Sequence, residues 1–148
     1  MKSILLLIAF VSIIGNANAQ VTFTKVTTGA IVSDGAYTEG VYWFDYNNDG
    51  LLDLFAANIT NQNNILFRND GSGNFTKITT GALVNDGSFS YGASIGDYNN
   101  DGFPDIFVVN GGSSASQNNF FYSNNGDGTF TKVTTGTFVN EIGNSWGS

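Results

Sequence analysis

Asp45-Tyr46-Asn47-Asn48-Asp49-Gly50-Leu51-Leu52-Asp53 returns 52 residues later as Asp97-Tyr98-Asn99-Asn100-Asp101-Gly102-Phe103-Pro104-Asp105. Each copy places side-chain oxygens at loop positions 1, 3, 5 and 9 and glycine at position 6. Alternate residues of a tight loop point inward, and the glycine admits a backbone turn that a Cβ would hinder. The pattern suits a hard, oxygen-seeking cation, and calcium is the expected one. Asp45, Asn47, Asp49 and Asp53 are the side-chain candidates of the first loop, and Asp97, Asn99, Asp101 and Asp105 those of the second. The carbonyls of Leu51 and Phe103, at position 7, are expected to complete each shell with water. Three carboxylates on one short loop repel one another unless a cation offsets them. An EF-hand does not fit: position 12 holds Ala56 and Val108 rather than glutamate, and strands rather than helices flank the loops.

The wider repetition fixes the context of these loops. Phe23-Thr24-Lys25-Val26-Thr27-Thr28-Gly29 recurs as Phe75-Thr76-Lys77-Ile78-Thr79-Thr80-Gly81 and as Phe130-Thr131-Lys132-Val133-Thr134-Thr135-Gly136, at steps of 52 and then 55 residues. The three extra residues fall in the Gly111-Gly112-Ser113-Ser114-Ala115-Ser116 connection, where a longer loop costs little. Such periods mark repeat architectures. Within a repeat the apolar pattern predicts four short strands: 41–44 and 93–96 entering the loop, 52–57 and 105–109 leaving it, then 65–68 and 120–123, then 75–79 and 130–134. Asn69-Asp70-Gly71-Ser72-Gly73 and Asn124-Asn125-Gly126-Asp127-Gly128 read as hairpin turns joining the last two. No stretch carries a sustained helical period.

Composition narrows the chemistry. The 148 residues contain no cysteine and no histidine, which removes disulfides, thiol catalysis, ordinary zinc sites and histidine-based triads. The formal charge is −7, and six of the 12 carboxylates lie in the two loops. Acidity of this kind belongs to cation sites and argues against nucleic acid, which needs a basic face. Residues 1–19 read as a secretory signal: Lys2, an apolar run from Ile4 to Ile14, and Ala17-Asn18-Ala19 before the cut. A run of that length is short for a membrane span. The mature chain is therefore expected from Gln20, secreted or extracellular, with the periplasm or the cell surface as variants and no membrane span after cleavage.

The loops and the segments after them, Phe67-Arg68-Asn69-Asp70-Gly71 and Phe75-Thr76-Lys77-Ile78 in the first copy, resemble FG-GAP/VCBS repeats, the blades of integrin-α-like β-propellers. Gly96-Asp97-Tyr98 through Phe130-Thr131-Lys132-Val133 resembles a second such repeat. The resemblance implies an all-β fold of four-stranded antiparallel blades, with calcium in the hairpin loop between the first two strands, about one ion per complete repeat. It maps the ligands onto Asp45, Asn47, Asp49, Leu51 and Asp53, and onto Asp97, Asn99, Asp101, Phe103 and Asp105. The expected layout is a signal peptide at 1–19 and repeats near 23–74, 75–129 and 130–148, the last truncated: two blades and the start of a third, an incomplete propeller. Gly40 and Gly92 stand five residues before each loop, and Gly147 takes the same place. The chain is thus expected to be part of a longer protein or an incomplete gene product, with missing blades supplied by further sequence or by another chain.

The function expected from this reading is an adhesion or ligand-recognition scaffold for extracellular protein or carbohydrate, with calcium structural and no catalysis. Tyr37, Tyr42, Trp43, Tyr91 and Trp146 are candidate contact residues, although alternating strand aromatics more often pack between blades. The alternative is part of a secreted polysaccharide-active enzyme, catalytic or accessory. Paired carboxylates would be needed for that, whereas Asp34, Glu39, Asp86 and Glu141 are isolated. Asp34, Asp86 and Glu141 share one repeat position, which suggests a structural role between blades.

Overall fold

The computed structural model describes residues 22–111, 117–140, 142–143 and 145. The signal segment, most of the Gly111–Ser116 connection, Glu141, Trp146 and Gly147 lie outside the described residues.

Two antiparallel sheets of four strands carry the fold. The first is β1 (Thr38–Phe44), β2 (Asp53–Asn58), β3 (Ile65–Gly71) and β4 (Asn74–Ile78), in that spatial order. The second repeats it with β5 (Ser90–Gly96), β6 (Asp105–Asn110), β8 (Phe120–Asn124) and β9 (Phe130–Val133). Between β6 and β8 a two-residue strand, β7 (Gln117–Asn118), pairs with β10 (Ile142–Gly143). The four-strand expectation holds, with β1 and β5 starting three residues earlier than their apolar pattern suggested. Those extra residues follow register shifts between Thr38 and Gly40 and between Ser90 and Gly92. The recurrent Gly40 has a steric reason there, since a Cβ on it would lie 2.9 Å from the Tyr42 ring.

Helical turns were not foreseen. Short helices α1 (Ala30–Ser33) and α2 (Thr137–Asn140), and a 3-10 turn at Ala82–Val84, occupy one repeat position. Each follows the glycine of a Thr-Thr-Gly block, with φ of 106° at Gly29, 99° at Gly81 and 114° at Gly136. One turn is too short to generate a period, so the only local signal is that glycine.

The strands leaving the loops are apolar on both sides, and β2 is buried along its whole length. A strand covered on both faces loses the alternation of a half-exposed one. Toward the second sheet the first presents Phe44, Phe55, Ala57 and Leu66. The second answers with Ala93, Ile106, Val108 and Tyr122, and Leu83 and Val84 of the 3-10 turn fill the space between. Burying a Phe or Leu side chain stabilises by about 1.5–3 kcal/mol, so this shared layer is what makes one body of two sheets. On the far side of the first sheet, Leu54, Ala56, Ile65 and Phe67 gather under Ala30 and Ile31 of α1.

Equivalent residues meet different fates. Tyr46, under the second sheet and 6.1 Å from the Phe130 ring, is 4% exposed. Tyr98, its counterpart, is 70% exposed and packs against Phe121 and Phe138. The Phe-Thr-Lys block forms β4 and β9, yet its first copy pairs with no strand among the described residues and leaves Phe23 95% exposed. Seven identical residues, 23–29 and 130–136, thus differ in structure because only one copy has a third strand beside it.

Asp86 and Lys132 join the linker to the second sheet at 2.9 Å, and the Tyr122 hydroxyl donates to Asp86 at 3.0 Å. Burial, with Asp86 beside it, pushes the Tyr122 hydroxyl above its ordinary range.

Two outcomes are expected. Tyr46→Ala should cost about 3–5 kcal/mol, within the usual range for emptying an aromatic core site, and Tyr98→Ala about 1 kcal/mol or less. Denaturant midpoints check this, and equal losses would contradict the packing described. Secondly, the unfolded tyrosine deprotonates near pH 10 while native Tyr122 keeps its proton. Above that pH the native state binds more protons than the unfolded state, so stability falls as pH rises. Tyr122→Phe should flatten that fall between about pH 9 and pH 11, read from urea midpoints at each pH.

Candidate metal loops

The acidic loops connect β1 to β2 and β5 to β6, and they fold alike. Asn48 and Gly50 take φ of 56° and 85°, and Asn100 and Gly102 take 59° and 90°. Glycine at position 6 therefore meets the left-handed backbone anticipated for it, and asparagine at position 4 tolerates the same region.

Asp45, Asn47 and Asp49 are brought together. The Asp49 N–H points at both Asp45 Oδ1 (3.1 Å) and Asn47 Oδ1 (3.2 Å), and the Gly50 N–H donates to Asp45 Oδ2 (2.7 Å). Leu51 N–H donates to Asp49 Oδ1 at 2.9 Å, and the Asn47 amide reaches Asp49 Oδ2 at 2.8 Å. The second loop repeats this set. Asp101 N–H lies 3.0 Å from both Asp97 Oδ1 and Asn99 Oδ1, Gly102 N–H donates to Asp97, Phe103 N–H donates to Asp101, and Asn99 reaches Asp101.

Position 9 does something different. Asp53 is fully buried, and its two oxygens accept from the backbone N–H of Tyr46 (3.1 Å) and of Asn69 (2.7 Å). Asp105 accepts from Tyr98 (2.9 Å) and Asn124 (2.8 Å) in the same way. Burial raises the Asp53 carboxyl above its ordinary value, and the two N–H bonds oppose that rise. Each position-9 aspartate thus ties the start of its loop to the far end of the third strand.

Asn69 and Asn124 were read from sequence only as turn formers, and their larger part was missed. Asn69 caps Leu52 through its amide (2.9 Å) and receives the Gly71 N–H (2.9 Å). Buried Asn124 donates to Pro104 O (3.1 Å), receives Gly126 N–H (3.0 Å), and also donates to Tyr46 O in the other sheet (2.8 Å). Asn48 reaches Gly102 O at 3.0 Å, so the two loops are joined across the sheets. Recurrence of asparagine at one repeat position was the available signal. The position-7 side chain rests on the hairpin turn: a Cβ on Gly126, at φ 76°, would lie 2.8 Å from the Phe103 ring.

The donor set fits a hard cation in kind. All donors are oxygens, and positions 1 and 3 converge on a single N–H. Among the described residues no group of three or more carboxylates is gathered closely enough to hold a metal. The loops are thus held by their own backbone donors, and Asp45, Asn47, Asp49 and Asp53, with the Leu51 carbonyl, are the groups that would hold an ion.

Asp34, Asp70 and Asp86, outside the loops, have partners of other kinds. Asp34 pairs with Lys77 at 2.5 Å, and Asp86 with Lys132, each between a linker and the fourth strand of the following sheet. Asp70 bonds Arg68 and Thr76, which hold its carboxyl below the usual range, with Thr76 the larger influence. Among the candidate contact aromatics, Tyr42 packs on Phe55, while Trp43 is 52% exposed with its edge on Phe75, and Tyr37 is exposed.

The protein is thus of a class with tandem four-stranded sheets, each carrying an Asp/Asn loop between its first two strands. The family model for the FG-GAP-like repeat matches residues 45–108 and 97–148, each match beginning at the first aspartate of a loop. The chain belongs to the FG-GAP-like repeat family, and its two sheets correspond to adjacent blades of a partial propeller. Comparison with curated proteins finds no match.

Asn124→Ala should destabilise the protein by about 1–3 kcal/mol, because it strands buried carbonyls. Asn69→Ala, whose side-chain bonds lie nearer solvent and stay within one sheet, should cost less. Equal losses in denaturant titrations would contradict a clasp between sheets.

Proposed function

We propose that the chain is an exported, calcium-stabilised propeller segment that presents a recognition surface to extracellular protein or carbohydrate, with calcium structural. The observation that carries this reading is the fixed seat of each loop, held by a buried aspartate at the same corner of each sheet. An ion at Asp45, Asn47 and Asp49, or at Asp97, Asn99 and Asp101, would offset the mutual repulsion of the loop carboxylates. Asn48 joins the loops, so an ion in either would also stiffen the seam between sheets. Export is supported by the signal pattern of residues 1–19, and outside cells calcium is plentiful enough for a site of modest affinity.

A further repeat sheet, from the same or another chain, would cover the Tyr98, Phe121 and Phe138 face. The equivalent face of the first sheet is covered by the second in just this manner.

Calcium at about 100 times its Kd should add about 2.7 kcal/mol per site. The melting temperature should therefore fall in chelator and recover with calcium. Asp49→Ala and Asp101→Ala should each remove one bound ion, counted by calorimetric titration. An unchanged melt, or two ions retained in either variant, would overturn the proposal.

A further inference from the structure

At the end of the first sheet opposite its acidic loop lies a cleft of about 400 Å³, bounded by Asp34, Gln62, Asn63, Asn64, Ile65 and Lys77. Ile78 adds to its apolar wall. Asn64 is 1% exposed, and its Nδ2 has no hydrogen-bond partner among the described residues. A buried donor left unmade costs about 1–3 kcal/mol, so it calls for an explanation. Asn64 Oδ1 is already used, accepting the Asn58 N–H at 2.9 Å.

The second repeat shows what the same framework looks like when it is filled. There the lysine pairs with the aspartate as before, but the Phe120 ring lies 3.5 Å beneath Lys132 Nζ. The Tyr122 hydroxyl occupies Asp86, and the Ser88 hydroxyl donates to Gln117 Oε1 at 2.7 Å. The first repeat places Ile65, Phe67 and Ala36 at those three positions. Each exchange removes atoms: a ring, a hydroxyl on the aspartate and a hydroxyl on the glutamine. The glutamine keeps only its backbone partner, the Tyr37 N–H at 2.8 Å. The framework is thus conserved within the chain while its filling is removed once.

We infer that this cleft binds a neutral saccharide unit, an inference that deepens the recognition reading above and rests on it. Lys77 supplies donors, and Asp34 and Asn63 supply acceptors. Hydroxyl groups that both donate and accept match such a mixed set. The ion pair is neutral as a whole and selects for no net charge. Ile65 and Ile78 border the cleft from opposite faces of the sheet, and the volume falls within the usual range for small-ligand sites.

The test is titration calorimetry, with saturation-transfer NMR, of the mature chain in calcium against neutral gluco-, galacto-, manno- and xylo-oligosaccharides, with an oligouronate for comparison. At least one neutral sugar should bind, and the oligouronate should bind no better. Ile65→Phe, which restores the ring of the second repeat, should weaken binding at least about tenfold. Asp34→Asn should weaken it similarly and serves as the second probe if Ile65→Phe misfolds. No binding by any neutral sugar, preference for the oligouronate, or undiminished binding in the folded variants would overturn the inference. Calcium-dependent melting is read separately in the same samples, so failure here leaves the calcium proposal standing on its own test.

Discussion

A carboxylate buried in a sheet must be given donors, and in this protein that requirement organises each repeat. Asp53 and Asp105 leave water entirely or nearly so, and each has two oxygens to satisfy. One N–H comes from the start of the loop, at Tyr46 or Tyr98, and one from the end of the third strand, at Asn69 or Asn124. The first, second and third strands are therefore fixed to one another at a single point. Removing either donor would leave a buried charge uncompensated, which costs far more than an ordinary hydrogen bond contributes. The strictness of the loop spacing follows from this, because position 9 must reach inward while positions 1, 3 and 5 remain around the turn.

The opposite end of each sheet is closed by neutral amides. Asn58 receives Thr38 on its Oδ1, donates to Asn63 O, and gives its N–H to Asn64. Asn110 does the same with Ser90, Asn118 and Asn119. A repeat is thus a short stack of apolar strand residues held between a charged clasp and an amide clasp. Bonded polar groups of this kind set register, because a slip of one residue would orphan them together. The apolar layer between the sheets supplies most of the burial, and the clasps select the one arrangement in which it forms.

How much of this was legible in the sequence depended on periodicity. The 52-residue recurrence and the apolar strand runs placed the four-stranded sheets, and the oxygen pattern placed the loops, because both signals repeat in register. Asn58, Asn64, Asn69, Asn110, Asn119 and Asn124 recur just as faithfully, but asparagine is common in turns and its propensity conceals a buried role. The one-turn helices gave no period to detect. Exposure was illegible for a physical reason: Tyr46 and Tyr98 stand in the same local sequence, and only the presence of a neighbouring sheet separates them. The oxygen pattern singled out position 9, but its hold on two backbone N–H groups was not visible in the sequence.

The comparison between repeats carries the argument further than either repeat alone. Where the two sheets agree, as at the loops and the clasps, the shared geometry answers a requirement of the blade itself. Where they differ at one framework position, the difference is free of that requirement. Ile65 against Phe120 and Phe67 against Tyr122 are such positions, on strands of matching register. Ile65 and Phe120 lie toward the end away from the acidic loop, whereas Phe67 and Tyr122 pair with Leu54 and Ile106, just after position 9; all four share one face of the third strand with an ion pair that both repeats keep. Structural duties therefore sit at the loops and clasps, and the freedom to vary lies on one face of the third strand between them.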